Sequence, residues 1–91
     1  MHYDVYSDVI GNAIDFQELR QRAANLRTGD LIRVAEQLGW THARTRGSHH
    51  QYTKAGAERP LTIPLDGHRS RRTTLDIIRQ LEEASRDHED D

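Results

Sequence analysis

The sequence predicts an α+β fold: a helix, three antiparallel strands and a closing helix (αβββα), with one extra helix ahead of them. Three observations carry this. Apolar residues recur at helical spacing before residue 40 and again after residue 73. Between those stretches the spacing changes to alternation. The dipeptide Gly47-Ser48 interrupts the alternating part where a two-residue hairpin turn would stand. A chain of 91 residues has room for one core, and with 34% hydrophobic residues that core must be thin.

Each element follows from its own residues. Residues 1–13, "MHYDVYSDVIGNA", hold no sustained periodicity and read as an arm, with at most a short extended piece. Asp15 followed by Glu18 is a capping-box variant, flanked by Ile14 and Leu19 as a hydrophobic staple. It opens a helix near Phe16 whose Phe16, Leu19, Ala23 and Leu26 share one side. A second helix spans about 29–38, with Leu31, Val34, Ala35 and Leu38 at i, i+3, i+4 and i+7 and Gly39 as a left-handed cap. Trp40 just beyond reads as a packing residue. "WTHARTR" and "HHQYTK" then flank Gly47-Ser48, and Gly-X in a two-residue loop is the type II′ signature.

That loop fixes a register. Arg46 faces His49, Arg44 faces Gln51 and His42 faces Thr53 on one side, while Thr45/His50, Ala43/Tyr52 and Thr41/Lys54 share the other. One face is thus polar and basic, and the other offers Ala43 and Tyr52 to a core. "KAGAE" is a loop. "PLTIPL" (60–65) is a third strand with Leu61, Ile63 and Leu65 inward, and Pro64 confines it to an edge or ends it. The helices should cover the Ala43/Tyr52/Leu61/Ile63 face. "DGHRSRR" (66–72) is a basic loop. Thr73, with Asp76 three residues later, opens a last helix whose Leu75, Ile78 and Leu81 face the sheet. The organisation expected is an arm and extra helix over 1–27, the main domain over 28–84 and an acidic disordered tail over 85–91.

Net charge is −2, but the signs are segregated. Residues 42–72 carry a net +5 and four of the six histidines; residues 1–25 carry −2 and residues 73–91 carry −5. A basic middle between acidic ends suits a polyanion. Zero cysteines exclude disulfides and thiolate zinc sites. The histidines lack metal-site spacing and no carboxylates stand at fixed offsets from them, so neither a metal nor another cofactor is expected. No stretch approaches the roughly 20 apolar residues of a membrane span, and no leader resembles a signal peptide. A cytoplasmic protein without membrane contact is the expectation.

Taken together, "LIRVAEQLGWTHARTRGSHHQYTKAG…LTIPLDGHRSRRTTLDIIRQL" resembles the HicA toxins over roughly residues 28–82. The strongest elements are the helix ending in Leu-Gly-aromatic, the "RGSHH" turn and a strand ending in proline before the last helix. The resemblance implies a double-stranded-RNA-binding-domain-like fold and a small endoribonuclease that cleaves mRNA, held in check by a HicB-like antitoxin protein. It implies that the histidine directly after Gly-Ser, His49, is catalytic. In "LDGHRSRRT", His68 comes later than the family's histidine after the strand-3 proline, so no role passes to it.

The chemistry fits this reading. RNA supplies its own nucleophile, the 2′-OH, so cleavage needs a base, cations near the phosphoryl oxygens and a proton for the leaving oxygen. His49 beside Arg46, with Arg44 one row away, meets the first two needs. Gly47 and Ser48 set the turn behind it, and His50, pointing the other way, reads as a supporting or packing residue. Lys54, Arg69, Arg71 and Arg72, together with Arg59, read as RNA-phosphate contacts. Two other functions share the same residues: an RNA-binding module that does not cleave, and a protein-interaction domain whose basic face meets an acidic partner.

Overall fold

The computed structural model describes the backbone of residues 14–90 and the side chains of 14–86. The expected arm over 1–13 and Asp91 lie outside the described residues. The elements are α1 (Phe16–Gln21), a 3-10 turn (Ala23–Asn25), α2 (Thr28–Gln37), β1 (Thr41–Arg46), β2 (His49–Thr53), β3 (Leu61–Pro64) and α3 (Arg71–Asp90). The fold is α+β, in the expected order, with the extra helix in front.

Caps explain where the helices begin and end. The Asp15 carboxylate accepts the Glu18 N–H at 3.0 Å, which starts α1. Its chain tightens into the 3-10 turn instead of continuing to Leu26, yet Leu19, Ala23 and Leu26 are all still buried. Asp30 reaches back to the Arg27 N–H (2.9 Å), and Asp66, from far along the chain, accepts the Thr28 N–H (2.9 Å). At the other end of α2, Gly39 stands at φ +97°. The Trp40 N–H bonds Ala35 O and the Gly39 N–H bonds Glu36 O, the Schellman pattern that Leu38-Gly39-Trp40 predicts. Trp40 is thereby turned into the core.

The sheet is antiparallel, in the order β1-β2-β3. Leu31 and Ala35 of α2, Ile77, Ile78 and Leu81 of α3, and Leu19, Ala23 and Leu26 from the N-terminal segment form one core with Tyr52, Leu61 and Ile63. The helices therefore lie on the Tyr52/Leu61/Ile63 face, as expected. All six residues of β1 are exposed, so this strand projects beyond the helix layer.

Four details depart from the sequence reading. A bulge at Ala43 shifts the register so that His42 pairs with Tyr52 and Thr41 with Thr53, and Ala43 is exposed instead of facing the core. Alternation cannot reveal an extra residue in a strand. Leu65 is 39% exposed, because β3 ends at Pro64 and Leu65 opens a turn closed by the His68 N–H on its carbonyl. Helix α3 starts two residues earlier than expected, since Ser70 Oγ accepts the Thr73 N–H (3.1 Å) and acts as the cap. It also continues to Asp90, where a disordered tail was expected. No glycine or proline occurs from 71 onward to interrupt it. Among the described residues no helix is long and apolar enough to cross a membrane.

Candidate active site

The site is built on the β1–β2 turn. Gly47 has φ +56° and among the described residues no non-glycine has a positive φ, so only the first of the two loop residues has φ above zero. That is the type II′ pattern, whose twist matches the flanking strands. Arg46 and His49 pair across the turn, and Arg44 pairs with Gln51, as expected. On the other side of β2, His49 pairs with Pro64. The Leu65 N–H donates to Ser48 O at 2.8 Å. By the alternation of an antiparallel ladder, His49/Pro64 is then a non-hydrogen-bonded pair. Proline costs the ladder no donor there, and side chains stand closest in such pairs.

The His49 ring is exposed between Arg46 and Pro64 on the open face. Its Nδ1 is 3.4 Å from Ser48 Oγ, and its Nε2 has no hydrogen bond among the described residues. A serine hydroxyl at Nδ1 can accept the Nδ1 proton, which leaves the Nε2 lone pair toward solvent. Arg44 is steadied by its Nε–H bond to Gln51 Oε1 (3.0 Å), and Arg46 is exposed.

The remaining basic residues do not all gather there. Lys54 follows the last residue of β2, five residues from His49, or ~17 Å at the usual strand rise. Its aliphatic stem runs beside Gly39. Arg71 and Arg72 are exposed on the first turn of α3, with Arg72 Nε 3.9 Å from the Asp76 carboxylate. Arg59 is exposed in the loop before β3.

His50 points to the opposite face, as expected, and is half-buried. Its Nδ1 lies 2.9 Å from Thr45 Oγ1. The bulge brings His42 to that same face, away from His49. Its Nε2 is 2.8 Å from the same hydroxyl, and its ring stands edge-on to Tyr52 at 5.4 Å. Burial, with a smaller effect of Glu36, raises the Tyr52 hydroxyl above its ordinary pKa. His68 is exposed in the turn after β3. Among the described residues no three His, Cys, Asp or Glu side chains gather at one point.

Arg69 corrects the sequence reading most. Its side chain is 5% exposed, and all five N–H donors are spent inside the protein. Nε bonds Thr74 Oγ1 (2.9 Å). Nη1 bonds Thr28 Oγ1 (2.6 Å) and Pro64 O (2.8 Å), and Nη2 bonds Leu26 O (2.8 Å) and Asp66 (3.0 Å). No donor is left for a phosphate. Thr28 Oγ1 also donates to Pro64 O at 3.0 Å. The Thr28 backbone N–H, and after it Arg69, hold the Asp66 carboxyl below the usual carboxylate range against some desolvation. Sequence reasoning passed over Asp66 and Thr28. The available signal was Asp-x-x-Arg beginning two residues after the strand-ending proline, which suits a carboxylate–guanidinium pair better than a solvated loop.

A comparison with protein-family models matches residues 29–84 to the HicA toxin of bacterial toxin–antitoxin systems. No curated protein and no solved structure matches the chain. The matched segment holds α2 after its first residue, the whole sheet with the Gly47-Ser48-His49 turn, and most of α3; it leaves α1 out. It spans more than half of the 91 residues, and the chain therefore belongs to the HicA toxin family of bacterial toxin–antitoxin systems.

Proposed function

We propose that this toxin is an endoribonuclease that cleaves mRNA without a metal ion, with His49 as general acid and base. The observation that carries the reading is the exposed imidazole directly after the Gly47-Ser48 turn, paired with Arg46, in a chain of this family. His49 Nε2 takes the proton of a 2′-OH. The O2′–P bond forms, the P–O5′ bond breaks, and the departing 5′-oxygen takes a proton, leaving a 2′,3′-cyclic phosphate. Arg46, with Arg44 behind it, meets the charge that develops on the phosphoryl oxygens. Lys54, Arg71 and Arg72 hold flanking phosphates, and a HicB-like antitoxin silences the toxin by covering the His49 face.

The test is incubation of the purified protein with RNA in EDTA, beside His49→Ala. Cleavage that ends in a cyclic phosphate and disappears in the variant is the expected result. Activity that survives the substitution but vanishes with EDTA would overturn both the residue and the mechanism. Binding without cleavage by the wild-type protein would leave an RNA-binding module.

A further inference from the structure

The turn that carries His49 stands at the end of the sheet, and all six residues of β1 beside it are exposed. The turn is anchored on the other side, by the Leu65 N–H on Ser48 O, and His49 itself stands against Pro64. The end of β3 is therefore one of the supports that set the position of the imidazole. At that end Pro64 O accepts from two groups, Thr28 Oγ1 and the buried Arg69 guanidinium. Arg69 grips Pro64 O and, with the same guanidinium, Leu26 O, Thr28 Oγ1, Thr74 Oγ1 and Asp66, so that β3, α2, α3 and the N-terminal segment meet on it.

We propose that Arg69 is a positioning residue for His49: through Pro64 and Leu65 it holds the Gly47-Ser48 turn in place, and through Leu26 it makes the extra N-terminal helix part of that support. This rests on the cleavage reading above. A buried guanidinium with every donor satisfied has one low-energy geometry, which suits a group that must fix a strand end. Lysine has the charge but not the planar fork. Two of the groups Arg69 holds, Leu26 O and Thr28 Oγ1, lie ahead of the matched family segment.

The decisive variant is Arg69→Lys, read in three ways: single-turnover RNA cleavage, RNA affinity, and amide hydrogen exchange of Leu65 against Ile78 in the core. Misplacing a reacting group by about 1 Å costs on the order of 10²-fold. Cleavage should fall by about that factor while affinity changes less than about threefold, and Leu65 should exchange faster with Ile78 unchanged. An unchanged Leu65 amide, or a faster one with wild-type cleavage, would sink the proposal. A variant that fails to fold is replaced by Asp66→Asn, which loosens Arg69 from one exposed side and leaves its bonds to Pro64 and Leu26; the same pattern is expected at smaller size. Wild-type protein that cleaves no RNA would remove the cleavage reading. Leu65 exchange then still reports whether the clasp holds the turn, so the two failures are distinct.

Discussion

At the scale of single residues, the two adjacent histidines point to opposite faces of the sheet, and the proposed mechanism gives them different roles. His49 is exposed, with no partner on Nε2 among the described residues; His50 is half-buried with Nδ1 held by Thr45. A general base contributes about 10²–10⁴-fold, so His49→Ala should lose at least ~10²-fold in cleavage with RNA affinity nearly unchanged, in a titration run beside the rate measurement. His50→Ala should show the reverse balance, with a lower melting temperature and a smaller loss of rate. Equal loss of rate in both variants would contradict a division by face. Ser48 is a weaker partner. Its 3.4 Å contact to Nδ1 is too long for a strong hydrogen bond, so Ser48→Ala should cost about threefold or less in rate.

At the scale of elements, the Gly47-Ser48 turn and the Arg69 hydrogen-bond cluster were unequally legible in the sequence. Gly47 at φ +56° has open space around its absent Cβ, so a side chain there meets backbone strain but no clash. Gly47→Ala should cost ~1 kcal/mol, read from denaturant unfolding, and should slow cleavage by disturbing the residue after the turn. The helix starts at Asp15, the Gly39 cap and the Gly47-Ser48 turn could be read from sequence because each is local chemistry at a fixed offset. The bulge at Ala43 could not, since "THART" alternates equally well with or without an extra residue, and only pairing with β2 decides it. Arg69 was misread for a related reason. A run of arginines looks uniformly solvated until the chain's distant segments, Leu26 and Thr28, are brought beside one of them.

The clasp also predicts a pH dependence. The pKa of Asp66 is lowered in the folded state, so its carboxylate stabilises the fold above the unfolded value of about 3.9. That contribution is lost as pH falls through the lower folded value. The stability difference between wild type and Asp66→Asn should therefore be constant near neutrality and shrink below roughly pH 4. A difference that stays constant through the acid range would mean that the Asp66 charge does not hold the clasp.

At the scale of the whole molecule, charge is segregated along the chain, and the proposed function would separate binding from catalysis on that basis. The net +5 of residues 42–72 is spread over the hairpin, the loop before β3 and the first turn of α3, while residues 73–90 carry −4 along one continuous helix. A polyanion meets the first region and is repelled by the second. With Trp40 and Tyr52 buried in the core, neither is available to stack on bases, so phosphate contacts should dominate and sequence selectivity should be weak. Arg71 and Arg72 give the cleanest test. Two cations at the N-terminal end of a helix oppose its dipole, so replacing them with glutamine should not destabilise the fold. Any loss of binding is then a loss of contacts. Each phosphate contact on a single strand adds ~0.7 to the slope of log affinity against log salt, so the double variant should lose ~1.4. It should do so alike for unrelated RNA sequences and leave the single-turnover rate of the bound complex unchanged. An unchanged slope would remove the first turn of α3 from the RNA surface and confine binding to the hairpin around Arg44, Arg46 and His49.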